Sequence, residues 1–254
     1  MVDFVSSVLN APLGETHIFS VGQAGFIIKS STGKLLGIDL YLSDCVERVE
    51  GHVGYKRMLP KLLDCNELIF DCLIATHFHR DHFDVDSIPQ LMNNDKTKLF
   101  AAYDCIDDVE TLNIDKTRTS FVAPGDIGDC GDFSLEFVDC DHGLGAPKAV
   151  GVIVAVDGKK IYETGDTCLR LDWAEQYKTK GPYDILIAPI NGAYGNLNES
   201  ECVDLSVALD PLITIPCHYG MFASHGGNPG IFHELMSSIK RDYLIMTLGE
   251  CYTF

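Results

Sequence analysis

The chain has 254 residues, of which 46% are hydrophobic and 22% charged, so wholesale disorder is excluded and a sizeable core is expected. Its 19 basic and 37 acidic residues give a net charge of −18, which argues against nucleic acid or an anionic membrane as a partner. There are no repeats and no Pro/Ser-rich linker, and a single domain over 1–254 is predicted.

Cysteine usage and the first residues indicate the compartment. The ten cysteines form no CxxC pair, and residues 1–17 lack the basic region and the apolar stretch of a signal peptide. No run approaches the ~20 apolar residues that a membrane span needs. Reduced thiols in a cytoplasmic protein are therefore expected.

The amino-terminal part has the pattern of a β-meander. Short apolar segments at 17–21, 25–29 and 35–39 are separated by Gly-containing turns, and each is predicted to be a strand. Residues 42–67 carry scattered charges and are predicted to be irregular.

The next elements are predicted to alternate in type. An apolar run at 68–75 has strand length, 83–92 looks helical, 98–102 is a strand candidate and 105–112 a short helix.

The rest of the chain is β-rich and then mixed. Strands are predicted at 133–139, 149–156, 160–164, 184–190 and 212–216, and helices at 173–177, 199–209 and 231–240. Asp157-Gly158 is a hairpin signal between two of these strands. Two β-rich stretches, each followed by helices, predict an α/β fold of two packed sheets with helices outside.

The most informative segment is Thr76-His77-Phe78-His79-Arg80-Asp81-His82, which holds three of the nine histidines. In an extended chain His77 and His79 point to the same side, because side chains alternate. A turn after them would bring Asp81 and His82 to the same place. This cluster predicts a metal site at a strand end.

Three more polar residues each follow a predicted strand. His142, Asp166 and His218 lie just beyond the strands at 133–139, 160–164 and 212–216. Ligands converge where strands end at one edge of a sheet, so these residues are added to the candidate ligand set.

The number of candidates indicates two ions. A structural zinc site uses four protein ligands and a catalytic one uses three plus water. Seven suit two ions that share one carboxylate and activate a bridging hydroxide. Nitrogen and oxygen ligands permit zinc or manganese, and iron as well. The candidates are His77, His79, Asp81, His82, His142, Asp166 and His218.

With this motif and the order of the later ligands, the sequence resembles the metallo-β-lactamase superfamily of metal-dependent hydrolases, over nearly the whole chain. Within it, the segments 22–26, 38–43, 162–167 and 215–220 look like the ascorbate-6-phosphate lactonase-like branch. The resemblance implies an αββα sandwich. The chain is markedly shorter than those lactonases.

The resemblance also implies a role for each ligand. The first ion would be held by His77, His79 and His142. The second would be held by Asp81, His82 and His218, with Asp166 bridging. Asp81 and Asp166 would be the catalytic carboxylates. Asp166 would bridge the ions, and Asp81 would orient the nucleophile. Asp39 matches a family motif and would support the metal loop rather than bind metal.

Donors for a substrate are predicted near these ligands. Arg80 lies within the motif, Lys148 follows His142, and Arg170 follows Asp166. Tyr194 and Asn196 lie in a Gly- and Asn-rich loop that resembles a substrate-facing loop of the lactonase branch.

These features predict a dinuclear metal-dependent hydrolase that uses a metal-bridging hydroxide on a lactone or related small carbonyl substrate. The alternatives are a phosphodiesterase or nuclease of the same superfamily and a non-catalytic metal-binding protein. A small-molecule substrate is the expected partner, and a homo-oligomer is allowed. His225 fits no motif and is predicted to be structural or at the surface.

Overall fold

Two β-sheets form the framework of the protein, as a computed structural model describes it for residues 3–254. The seven-stranded sheet comprises β1 (His17–Gly22), β2 (Gly25–Lys29), β3 (Leu35–Ile38), β4 (Cys72–Ala75), β5 (Lys98–Ala102), β6 (Thr119–Val122) and β13 (Cys251–Thr253), in the order β13-β1-β2-β3-β4-β5-β6. The six-stranded sheet comprises β7 (Ile127–Cys130), β8 (Phe133–Asp139), β9 (Val150–Val156), β10 (Lys159–Glu163), β11 (Ile185–Pro189) and β12 (Ile213–Cys217), in the order β12-β11-β10-β9-β8-β7.

The helices are short. They are α1 (Phe4–Asn10), α2 (Cys45–Glu50), α3 (His52–Tyr55), α4 (Ile88–Leu91), α5 (Ile106–Thr111), α6 (Leu171–Lys178), α7 (Glu199–Leu209) and α8 (Pro229–Ile239). Across residues 3–254, none of them combines the length and the apolar character needed to cross a bilayer.

The core lies between the sheets and follows the alternation of side chains along each strand. In β9, Val152 and Val154 join the inter-sheet core, whereas Ile153 packs into a second cluster with α6, α7 and α8. Phe100 of β5 meets Phe137 of β8 with ring centroids 5.9 Å apart, which joins the two sheets directly. Both faces of the six-stranded sheet are therefore covered, which confirms the α/β sandwich.

Strand direction decides where the polar loops meet. Strands β3 to β6 run parallel to one another, and so do β10 to β12. Strand β8 is antiparallel to β9, which is antiparallel to β10, so β8 and β10 point the same way. The carboxyl ends of parallel strands lie at one edge of a sheet, and the loops that follow them are neighbours.

Several elements differ from the sequence-based predictions. The region 42–67, predicted to be irregular, contains α2 and α3. The predicted helix at 83–92 is reduced to the single turn α4, because the buried Asp84 carboxylate accepts hydrogen bonds from Ser87 and holds a turn there. In the apolar run at 68–75 only the last four residues pair as β4.

Short elements without a strong apolar pattern were not predicted. They are α1, β6, β7 and β13. The hairpin between β9 and β10 is confirmed. Its turn residues Asp157 and Gly158 have φ values of 51° and 77°, the left-handed pair that such a turn requires.

Lys29 anchors α1 to the seven-stranded sheet. This buried side chain donates from Nζ to the carbonyl oxygens of Val8, Leu9 and Ala11, each at 2.9 Å. The carbonyls at the end of a helix have no partner within the helix, and a cation there also interacts well with the helix dipole.

We expect Lys29→Met to lower the free energy of unfolding by about 1–3 kcal/mol, because buried carbonyl oxygens would lose a charged donor. Urea denaturation measures the change. Lys34→Met is the matched control, since Lys34 makes only an exposed ion pair with Asp71 and its loss is expected to cost less than about 1 kcal/mol. Equal losses in the two variants would contradict this role for Lys29.

Candidate metal centre

The first part of the centre is a group of three imidazoles. His77 and His79 follow β4, and His142 follows β8. His79 Nδ1 lies 3.0 Å from His77 Nε2 and 3.2 Å from His142 Nε2. One imidazole nitrogen cannot satisfy two such neighbours by hydrogen bonding alone. The Nδ1 atom of His142 is buried and has no hydrogen-bond partner within residues 3–254.

The second part combines Asp81, His82 and His218. His218 Nε2 is 3.3 Å from Asp81 Oδ2 and 3.3 Å from His82 Nε2. All three residues are buried. The side-chain oxygen and nitrogen atoms of this group lie within 4.8 Å of one another, as do those of the three imidazoles.

Asp166, just after β10, stands between the two groups. Its Oδ2 atom is 3.0 Å from His218 Nε2, 3.4 Å from His82 Nε2 and 3.8 Å from His142 Nε2. One carboxylate oxygen therefore faces nitrogens of both groups. The structure brings together all seven candidate ligands, in the two sets that the family resemblance implies.

The electrostatics of this cluster suit cations. Burial lowers the pKa of His142 to about 4. Burial also acts on His218, but Asp166 and Asp81 outweigh it and raise the pKa of His218 to about 9. Burial raises the pKa of both carboxyl groups, and the imidazoles of His82 and His218 more than offset it, so both pKa values lie well below the usual range. The anionic carboxylates and converging imidazoles fit divalent metal ions.

Asp39 supports the metal loop from below, as the resemblance implies for a residue that does not bind metal. Its Oδ2 atom is 2.6 Å from Nδ1 of His82 and accepts a hydrogen bond from Thr76 Oγ1 at 2.6 Å, while Oδ1 accepts from the Thr76 backbone N–H at 2.8 Å. Asp39 is fully buried, just beyond β3. Its carboxylate fixes the His82 ring so that Nε2 points toward the other ligands.

Gln23 supports the second group and was assigned no role by sequence reasoning. Its side-chain Nε2 atom donates to Asp81 Oδ2 at 2.7 Å, and its backbone carbonyl oxygen accepts from the backbone N–H of His218 at 2.8 Å. Gln23 lies in the segment 22–26 that was quoted for the family resemblance. The side-chain contact joins residues 58 positions apart, so no local pattern could show it.

The backbone is strained where these residues lie. Gln23, Asp39 and His218 have φ values of 56°, 46° and 62°, in the left-handed region that non-glycine residues seldom adopt. Gly165, just before Asp166, has φ 65°, and an added Cβ would lie 2.8 Å from the Val150 carbonyl oxygen. Strain of this kind persists where the surrounding structure holds a functional geometry.

A cavity of about 330 Å³ opens directly onto the centre. Ligands from both groups, among them His79, Asp81 and His218, form its floor. A segment that includes α2 and α3 forms part of its wall. A substrate in this cavity would contact the proposed ligands.

The predicted substrate-binding residues are divided among different places. Arg80 and Tyr194 line the cavity. Lys148 and Arg170 line a separate groove on the other side of His142. Asn196 is buried, and neither atom of its amide group has a hydrogen-bond partner among the described residues.

Both arginines are already engaged with the protein. Arg80 donates to Asp108 Oδ2 at 2.7 Å and to the Phe78 carbonyl oxygen at 3.1 Å. Arg170 is paired with Asp141 and Asp172. Their roles in substrate binding remain predictions.

His225 was predicted to be structural or at the surface, but it lines the cavity. Its ring centroid lies 5.0 Å from that of His218 and 5.1 Å from that of Tyr194. Burial lowers the pKa of His225 to about 4, so the ring is neutral at pH 7. The only signal in the sequence was its position seven residues beyond His218.

Comparisons with known proteins agree with this fold. Residues 17–218 match the family model described as a beta-lactamase superfamily domain. The chain is 25% identical to a UPF0173 metal-dependent hydrolase of Polynucleobacter asymbioticus, over 95% of this chain and 87% of that relative. Among solved structures it is similar to the metallo hydrolase Igni18 of Ignicoccus hospitalis, with a TM-score of 0.75, 19% identity and coverage of 94% and 98% of the two chains. It is also similar to the isothiocyanate hydrolase from Delia radicum gut bacteria, with a TM-score of 0.71, 18% identity and the same coverage.

The fold and the metal centre together define a metal-dependent hydrolase. The chain belongs to the metallo-β-lactamase superfamily, since the family model covers most of its length. The structural likenesses, at under 25% identity, concern the fold alone.

We expect Asp39→Asn to weaken the binding of Zn²⁺ or Mn²⁺ by about 10–100-fold, because the amide holds the His82 ring less firmly than the carboxylate does. Competition with a chromophoric chelator measures the affinity. Asp210→Asn is the control, because Asp210 is exposed and its side chain pairs with Arg241 on the surface. Unchanged affinity in Asp39→Asn would contradict the supporting role.

Proposed function

We propose that the protein is a dinuclear hydrolase that cleaves a small carbonyl substrate, with a lactone as the leading class. The observation that carries this proposal is the position of Asp166 Oδ2 within 3.8 Å of imidazole nitrogens from both ligand groups. A single carboxylate that faces both ligand sets is suited to a pair of neighbouring ions. When bound, two divalent ions supply an activated water and polarise the bond that is attacked.

The protein's own residues would orient the attacking water. Asp81 lines the cavity, and Gln23 fixes one of its oxygens by a hydrogen bond of 2.7 Å. A carboxylate held in this way can orient the attacking water. In lactone hydrolysis the water oxygen bonds to the carbonyl carbon, the ring C–O bond breaks, and the proton passes to the departing alkoxide.

The size of the cavity supports a small substrate. A volume of about 330 Å³ is near the lower end of the range for small-molecule pockets, which begins at roughly 300 Å³. The structural neighbour named an isothiocyanate hydrolase acts, by that name, on a compact molecule with an electrophilic carbon. A lactone has the same two properties.

The state of the cysteines supports the cytoplasm as the working compartment. All ten are free thiols. A reducing compartment keeps thiols in this state.

The number of bound ions tests the dinuclear proposal first. Elemental analysis of protein purified without chelator or nickel resin is expected to give about two transition-metal ions per chain. Protein that has lost metal is expected to reach the same ratio after reloading with Zn²⁺ or Mn²⁺. If saturation stops at one ion, the shared-carboxylate arrangement is wrong.

Asp166→Ala tests the role of the central carboxylate. We expect the metal content to fall below two and the turnover of a neutral γ-lactone to fall by at least about 100-fold. Asp210→Ala should keep both values, because Asp210 is exposed and pairs with Arg241. Full metal-dependent turnover in Asp166→Ala would exclude Asp166 as the bridge. A panel that also contains thioesters and phosphodiesters tests the class, because preference for a phosphodiester would overturn the carbonyl assignment.

A further inference from the structure

The walls of the active-site cavity differ in character from its floor. Val46 and Val49 of α2 and the ring of Phe78 present apolar surface, while the metal ligands occupy the floor. The part of a substrate that lies beyond the reacting bond would contact this apolar surface. Burial of apolar surface there favours a substrate with a hydrocarbon portion.

Apart from the two proposed ions, the cavity offers little positive charge to an anion. Among residues 3–254, Arg80 is the only Lys or Arg that lines it, and its guanidinium is already held by Asp108 at 2.7 Å and by the Phe78 carbonyl oxygen. Glu50, at the exposed end of α2, also lines the cavity and forms no ion pair with any of the described residues. A phosphate or carboxylate on the part of a substrate that lies away from the ions would meet Glu50 and no unpaired Lys or Arg side chain.

Two tyrosines that line the cavity contact each other. The hydroxyl oxygens of Tyr55 and Tyr194 are 3.0 Å apart, so the two groups share a hydrogen bond. This contact ties α3 to the loop that follows β11. Since each hydroxyl is engaged with the other, this pair adds no charged group to the cavity.

His225 is the group in this wall that is free to form hydrogen bonds. Its Nδ1 atom is buried and has no hydrogen-bond partner among the described residues. The ring is held between Tyr194 and Phe222, with centroid distances of 5.1 Å and 5.2 Å. An unpaired polar atom in a buried wall is costly unless a ligand or water satisfies it.

We propose that His225 positions an uncharged substrate, whose hydrocarbon portion lies against Val46, Val49 and Phe78 and whose polar atom bonds to the imidazole. This inference rests on the proposed function, since it assigns a substrate class to the same site. A preference for an uncharged substrate would distinguish the protein from enzymes that hydrolyse phosphorylated lactones. His225 is a positioning residue, and the bond-breaking step belongs to the metal centre.

The test uses two pairs of probes. The first pair is a γ-lactone with a short alkyl side chain and the same lactone with a phosphomonoester at the end of that chain. The second pair consists of the corresponding γ-lactams, which resist hydrolysis and report binding alone. Calorimetric titration gives the dissociation constant of each lactam for the metal-loaded full-length protein, and steady-state kinetics gives kcat and KM for each lactone.

The neutral probe of each pair is expected to be preferred by at least about 10-fold, since an unpaired charge has to be desolvated. His225→Phe should weaken binding of the neutral lactam and raise KM for the neutral lactone by about 10-fold, with kcat little changed, because one hydrogen bond is lost. His225→Gln should restore part of the affinity. Glu50→Gln should narrow the preference for the neutral probe.

His233→Phe is the matched control, because His233 is exposed on α8 and bonded to Tyr243, away from the cavity. Equal or tighter binding of the phosphorylated lactam would overturn the proposal, as would unchanged binding in a folded His225→Phe protein or no binding of either lactam. If no lactone is hydrolysed but the neutral lactam still binds in a His225-dependent way, the proposed reaction fails and the proposed selectivity of the cavity stands.

Discussion

The convergence of imidazoles and carboxylates in a buried space is the constraint on which the rest of the structure depends. Nitrogen atoms approach to 3.0–3.3 Å and a single carboxylate oxygen faces three of the rings. Such a cluster gains little from direct hydrogen bonding, and burying it is costly unless cations bind. The two sheets supply the rigidity that holds it, because each ligand follows a strand fixed by pairing and by core packing.

Residues next to the ligands hold them in place by hydrogen bonds. Asp39 and Gln23 have left-handed backbone, and each holds one ligand side chain by a short hydrogen bond. His218 has the same backbone conformation while its N–H is bound by Gln23. Three left-handed non-glycine residues thus lie at the edge of the sandwich where the ligands meet, and others, such as Asp157, Asp210 and Lys240, lie in a hairpin turn and at helix ends. Stability and ligand geometry are supplied by different layers of one fold.

Reaction chemistry and substrate choice are also separated in space. The ligands come from loops after strands of both sheets, whereas the selective surface comes from α2, α3 and the loops near Tyr194 and His225. The wall is nevertheless packed against the segments that carry the ligands, since Cys45 and Val46 of α2 share a buried cluster with Met221 and Phe222.

The sequence by itself determined the set of candidate ligands and the class of fold. The spacing of His77, His79, Asp81 and His82, and the position of each later ligand after an apolar run, are local properties that alternation and strand length make readable. The α/β sandwich followed from the same apolar runs. Short strands at the sheet edges, such as β6 and β13, carry too few apolar residues to be read in this way.

Only the tertiary structure decided which polar residues share a cavity. Lys148 and Arg170 lie near ligands along the chain but face a different groove, and the charge of Arg80 is bound by Asp108. Gln23 reaches the centre through a contact with Asp81, 58 positions away, and His225 is packed between the nearby His218 and the more distant Tyr194. The position of a residue in the sequence shows which strand it follows. The direction in which its side chain points depends also on packing against elements that are remote in sequence.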